Sequence, residues 1–185
     1  ESQIISVDDT TPPTVATQDI TVELDGTGSV SITGAQVDNG STDSVGDVSF
    51  SLSQTTFTGN NLGANLVTLT VSDEDGNSAT GTATVTVEDN IAPDAIAQTF
   101  TVELDALGVG SLTVNDIDGG STDNDQVVST TASQTSFNLD DLGSNSVTLT
   151  VSDRAGNIDT AIATVTFEAN IATEVLTQNV EIQLE

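Results

Sequence analysis

Chemistry in this chain has to come from carboxylates. Asp and Glu number 29 among 185 residues, against a single base, Arg154, for a net charge of −28. His, Cys, Met, Trp and Tyr are absent, and with Arg154 as the one basic residue there is no Lys. An imidazole base, a thiol nucleophile and the usual zinc ligands are therefore excluded, as are a Schiff base and a Lys-to-Asn crosslink. One Arg cannot build a phosphate-binding surface, so nucleic acid is repelled rather than bound. Paired carboxylates can cleave glycosides, but acids distributed by a long period fit that chemistry poorly, and the chain is expected to be no enzyme. A hard cation with oxygen ligands suits the available groups, and calcium accepts six to eight of them in flexible geometry. The candidate ligands are Asp9, Asp25, Asp38, Asp43, Asp73, Glu88, Asp89, Asn90, Asp105, Asp116, Asp118, Asp123 and Asp153. The competing explanation is turn chemistry plus solubility, because Asp and Asn bond their own backbone and dominate β-turns.

The elements that position these acids repeat. Thr21-Val22-Glu23-Leu24-Asp25 returns as Thr101-Val102-Glu103-Leu104-Asp105, and Gly40-Ser41-Thr42-Asp43 as Gly120-Ser121-Thr122-Asp123. Ser53-Gln54-Thr55 returns as Ser133-Gln134-Thr135, the run from Val67 to Asp73 as Val147 to Asp153, and Gly76-Asn77 as Gly156-Asn157. Every match has an offset of 80, without insertion or deletion. The period continues at both ends, where Ile5 to Asp9 aligns with Val85 to Asp89 and Gln178 to Glu185 with Gln98 to Asp105. The expected organisation is a last strand over 1–9, whole repeats over 10–89 and 90–169, and a first strand over 170–185, as in a piece of a longer array.

Within a repeat the apolar residues alternate with Thr and Ser, as in Ile20-Val22-Leu24, Val30-Ile32, Val48-Phe50-Leu52, Val67-Leu69-Val71 and Ala83-Val85-Val87. Period 2 is the strand signature. Turn pairs such as Asp25-Gly26, Asn39-Gly40, Gly59-Asn60 and Asp75-Gly76 separate the runs. The expected fold class is all-β, with tandem immunoglobulin-like β-sandwiches arranged end to end. Phe50 and Leu52 become Thr130 and Ala132 in the second copy, while Ile20 and Val87 become Phe100 and Phe167, an exchange that roughly conserves volume. In a seven-strand sandwich the loops Asp38 to Asp47, Asp116 to Asp125, Asp73 to Asn77 and Asp153 to Asn157 lie at the N-terminal pole of their repeats, Asp25 and Asp105 lie at the other, and the linker acids Asp8, Asp9, Glu88 and Asp89 fall between. Two acidic poles then meet at each junction, where a bridging cation would relieve the repulsion. Arg154-Ala155 replaces Glu74-Asp75, which argues against a complete D-x-D-x-N calcium loop in the second copy.

Val67-Thr68-Leu69-Thr70-Val71-Ser72-Asp73, Gly76-Asn77, the run Ala83 to Asp89, and Pro93 together resemble the hyalin-repeat (HYR-like) module, in the form found in giant secreted adhesins of gliding Bacteroidota. The likeness covers the whole chain. It implies an immunoglobulin-like fold, export to the cell surface and long filaments. It also implies Cys at several turns, where Val45, Gly59, Asp125 and Leu139 stand instead, so disulfide stapling is not expected here. The run Glu88-Asp89-Asn90-Ile91-Ala92-Pro93 resembles the cadherin linker, whose acids bind calcium between domains. Asp9-Thr10-Thr11, Asp43-Ser44-Val45 and Asp159-Thr160-Ala161 resemble an O-glycosylation motif of the same bacterial group, making Thr10, Ser44 and Thr160 candidate acceptors. Asn39-Gly40-Ser41 is the one N-x-[S/T] sequon.

The expected role is a structural or adhesive repeat segment of an extracellular bacterial surface protein or filament, rigidified by calcium at its junctions. Its expected partners are further repeats of the same chain and identical chains in a filament. No apolar stretch is long enough to cross a bilayer. The alternative is an accessory glycan-binding or spacer sandwich of a secreted carbohydrate-active enzyme, which the absence of Trp and Tyr disfavours because sugars usually stack on those rings.

Overall fold

The structure is a computed structural model and describes residues 8–169. The strands expected over 1–7 and 170–185 lie outside the described residues. The first repeat runs β1 (Ile20–Glu23), β2 (Ser29–Ser31), α1 (Gly34–Val37), β3 (Ser49–Leu52), β4 (Thr56–Thr58), a 3-10 turn (Gly59–Asn61), β5 (Gly63–Ser72) and β6 (Ser78–Glu88). The second runs β7 (Phe100–Leu104), β8 (Gly110–Ser111), α2 (Val114–Ile117), β9 (Val127–Ala132), β10 (Ser136–Phe137), a 3-10 turn (Leu139–Asp141), β11 (Gly143–Asp153) and β12 (Ile158–Ala169).

Alternation decides which face is buried. In β5, Val67, Leu69 and Val71 are buried, and in β6 so are Ala83, Val85 and Val87. The intervening Thr and Ser face outward more than they face the core. β5 and β6 are antiparallel in register from Gly63↔Val87 to Ser72↔Ser78. β3 joins β5 antiparallel, and β1 joins β6 in parallel from Ile20↔Val85 to Glu23↔Glu88, giving the order β1-β6-β5-β3. A second sheet pairs β2 with β4, and its Phe57 belongs to the same apolar cluster as Leu69 and Val85. Two sheets that share one core make a sandwich. The later repeat has the same order, β7-β12-β11-β9 with β10-β8. The protein is all-β with an immunoglobulin-like layout.

The one-turn helices α1 and α2 interrupt the run of strands and carry no period-2 signal. Each is built by a capping box: Gln36 Oε1 accepts from the Thr33 amide at 2.8 Å, and Asp116 Oδ2 from the Thr113 amide at 2.7 Å. They carry Val37 and Ile117 into full burial. The second core moves its bulk, for Phe167 stacks on Phe137 with ring centroids 4.1 Å apart where the first copy has Val87 and Phe57.

The chain divides into two compact units that do not follow the repeat boundary. Among the described residues, one holds 8–94, 121–129 and 151–159, and the other holds 95–120, 130–150 and 160–169. Among the described residues no helix is long and apolar enough to cross a membrane.

Phe57 is fully buried, so Phe57→Ala should destabilise by about 3–5 kcal/mol. Urea unfolding should show a lower midpoint with unchanged slope. A loss below about 1 kcal/mol would mean that this ring does not anchor the core.

Candidate metal centre

Two carboxylate triads stand out, and they are copies of one another. Asp9, Asp43 and Asp73 each offer an oxygen within 4.8 Å of the others, and so do Asp89, Asp123 and Asp153. All six residues belong to the first compact unit.

Each member arrives by a different device. Asp73 follows β5, and its amide donates to the Asn77 carbonyl at 3.1 Å, closing a turn in which Gly76 takes φ +92°. Within that turn Asn77 donates its backbone amide to Asp73 Oδ1 and its side-chain amide to Asp73 Oδ2, both at 2.8 Å. The Asn77 side chain also donates to the Asp9 carbonyl at 2.8 Å, so one amide fixes the loop acid and the linker together. Asn157 does the same in the second copy, reaching Asp153 Oδ2 at 2.7 Å and the Asp89 carbonyl at 2.9 Å. The third acid is brought in by an antiparallel bridge. Thr14 pairs with Thr42 beside Asp43, and Asp94 pairs with Thr122 beside Asp123. Asp43 Oδ2 then accepts from the Val45 amide and Asp123 Oδ2 from the Asp125 amide, both at 2.9 Å.

Asp73, Asp89 and Asp153 are buried, and Asp9, Asp43 and Asp123 are half-buried. Two carboxylates about 4 Å apart repel by about 1 kcal/mol in bulk water and about 4 kcal/mol at an effective dielectric constant of about 20. Three mutual pairs at such range are a large fraction of the roughly 5–15 kcal/mol that holds a domain folded. Donors from Asn77 and Asn157 offset part of this. The Asn77 side chain is the main reason the Asp73 carboxyl sits below its ordinary value, against burial, which pushes it up. One oxygen in each triad has no such partner: Asp9 Oδ2 and Asp123 Oδ1 are buried without a hydrogen bond, as is Asn124 Oδ1 beside the second triad. An ionised carboxylate can only accept. These orphaned acceptors suit a hard cation, and the all-oxygen donor set suits calcium.

The remaining candidates are placed elsewhere, each with a local task. Asp25 Oδ1 accepts from the Thr27 amide and hydroxyl at 2.8 and 2.6 Å, and Asp105 Oδ1 from the Leu107 and Val109 amides at 2.9 Å. Asp38 holds the Gly40 and Ser41 amides, Asp118 holds that of Gly120, and Asp116 caps α2. Asn90 donates to Glu23 Oε1, and Glu88 ends β6 exposed. For the five aspartates among these seven the turn and capping chemistry accounts for the residue type. Two residues outside the candidate set belong to the site's frame, Asn77 and Asn157, and their signal was the recurrence of Gly-Asn at the 80-residue offset.

Thr10, Ser44 and Thr160 are exposed. In two of the three motif matches, however, the Asp is a triad member, so Asp9 and Asp43 have a reason to be acidic that does not involve the neighbouring hydroxyl. Arg154 lies beside the second triad. It donates to Asn60 Oδ1 at 2.9 Å and to Gln126 Oε1, and its guanidinium is 3.4 Å from Asp125 Oδ2.

No family model and no curated protein matches the chain. Among solved structures, similar ones are cadherin extracellular fragments. Human mucin-like protocadherin EC1-2 aligns at 12% identity over 85% of this chain and 98% of its own, with a TM-score of 0.44. Human protocadherin-24 EC1-2 aligns at 13% identity over 85% and 99%, TM-score 0.40. Drosophila N-cadherin EC1-4 aligns at 11% identity over 85% and 50%, TM-score 0.40. The case for a cation rests on the carboxylates themselves.

Asp25 supplies a test of the turn chemistry. Its carboxyl is held below its ordinary value, first by the Thr27 hydroxyl and then by the Thr27 amide. A depressed folded value means that Asp25 adds stability above the unfolded carboxylate value of about 3.9, and this is lost as pH falls through the folded one. Thr27→Val should raise the Asp25 midpoint in an NMR titration of the side-chain carboxyl carbons; an unmoved midpoint would show that the hydroxyl does nothing.

Proposed function

We propose that this chain is a structural and adhesive repeat segment of an extracellular surface protein, stiffened by calcium at its acidic triads, and that it is not an enzyme. One observation carries the reading: three carboxylates are brought together from separate parts of the chain twice, at an 80-residue offset, and each group leaves a buried acceptor oxygen without a donor. Asp9, Asp43 and Asp73 would hold one ion, and Asp89, Asp123 and Asp153 the other. A bound divalent ion would neutralise the repulsion and tie the linker acid to two loop acids, so the linker could no longer swing freely. The hyalin-repeat resemblance adds the setting, a bacterial cell surface or filament in which many such repeats follow one another.

Extracellular calcium modules have Kd values of about 10⁻⁴–10⁻³ M. At a tenfold excess over Kd each ion stabilises by about 1.4 kcal/mol, which corresponds to about 3–6 °C per site in a chain of this size. Thermal unfolding with calcium against chelator should show that shift. Asp153→Asn should remove the contribution of the second triad while leaving that of the first. A midpoint indifferent to calcium would reject the cation and leave solubility as the purpose of the acids.

A further inference from the structure

The one base of the chain joins residues that the triads do not. Arg154 stands just after β11, and its guanidinium spreads over three acceptors: Asn60 Oδ1 at 2.9 Å, Gln126 Oε1, and Asp125 Oδ2 at 3.4 Å. A planar fork of five N–H donors suits acceptors spread in this way better than the compact ammonium of Lys. Asn60 lies in the 3-10 turn after β4, and Asp125 and Gln126 lie in the loop before β9, all within the first compact unit.

That loop is seated as well as tethered. A Cβ added at Gly59 would fall on the Asp125 carboxylate, and one added at Gly28 would fall on the Asn124 carbonyl. The backbone does not demand glycine at 59, because its φ is not positive and Leu139 holds the same place in the later 3-10 turn. The approach of Asp125 is what demands it. Asn124 adds a further hold, its side-chain amide donating to the Asp25 carbonyl at 3.1 Å and to Asp89 Oδ1 at 3.3 Å.

This contact is separable from the triads, since the triad acids recur at the 80-residue offset and its own residues do not. Asn124, Asp125, Gln126 and Arg154 stand where the first copy has Ser44, Val45, Gly46 and Glu74. Asp125 Oδ2 is buried without a hydrogen bond, and Arg154 is its counter-charge. An exposed ion pair contributes little, but here the Asp125 side chain is only 15% exposed. Removing the guanidinium would leave that charge covered and unpaired, which is the costly case.

We propose that Arg154 is a resident cation that latches the 121–129 loop onto the 25–28 turn and the Gly59–Asn61 turn, and that the latch stays closed whether or not a divalent ion is bound. A chelator then takes away the ion and leaves the loop seated. The latch does not rest on the calcium reading, because neither Arg154 nor Asp125 is a triad member.

Hydrogen–deuterium exchange of the full chain in EDTA, read by mass spectrometry, tests the latch. Peptides covering 121–129 should exchange at least about tenfold faster in Arg154→Glu than in the wild-type chain. Peptides covering β5 and β6 should be unchanged, which shows that the first sandwich is folded. Arg154→Glu adds negative charge beside Asp153, so a second variant acts from the opposite side. Gly59→Leu leaves the net charge alone, introduces the residue that the later turn already carries, and should give the same acceleration by unseating Asp125. Protection of 121–129 that persists in either variant would overturn the latch. So would a rise of more than about tenfold in wild-type exchange there when EDTA replaces calcium. A thermal midpoint indifferent to calcium, with the latch intact, would reject the cation alone.

Discussion

Like charge held at close range is the constraint around which the loops of this protein are organised. Three carboxylates within 4.8 Å of one another could not be kept there by packing alone. They are held from behind by amide donors, with Asn77 and Asn157 each spanning a loop acid and a linker carbonyl. That single side chain couples the path of the linker to the turn between the last two strands. Remove the amide, and both the acid and the linker lose their common support. The apolar alternation of β5 and β6 then matters chiefly because it fixes where those turns emerge.

The strands were readable because β5 and β6 sustain period 2 over ten or more residues with Thr and Ser in the outward places. α1 was not, since a helix of four residues gives a 3.6-residue period no room to show. The site was readable only as a pool of acids. Asp38 and Asp43 look alike locally, each followed two residues later by an amide it accepts. Each also lies at a bridge to the preceding segment, Thr17 with Asp38 and Thr14 with Thr42, so what separates them is that only Asp43 comes beside Asp9 and Asp73, a meeting of distant residues with no local signature. Asn77 was visible as half of a repeated Gly-Asn pair, but a hairpin turn explains that pair equally well, and its bond to the Asp9 carbonyl spans 68 residues.

Exact periodicity in length has coexisted with divergence in chemistry. The only base of the chain stands where the first copy has Glu74, and it satisfies Asn60 and Gln126 while approaching the carboxylate of Asp125. Phe167 and Phe137 replace a Val–Phe pair without altering the sheet order. The scaffold thus tolerates change both in its core and on its poles, provided that the turns holding the triads are kept.

The parallel pairing of β1 with β6 governs how the repeat bears tension. The chain enters the first repeat ahead of β1 and leaves it after β6, and the two strands lie side by side pointing the same way over Ile20↔Val85 to Glu23↔Glu88. A pull on the two ends drags these neighbours in opposite directions along their length. The ladder between them is loaded in shear, with its hydrogen bonds sharing the force, instead of being unzipped one rung at a time. The same geometry recurs between β7 and β12.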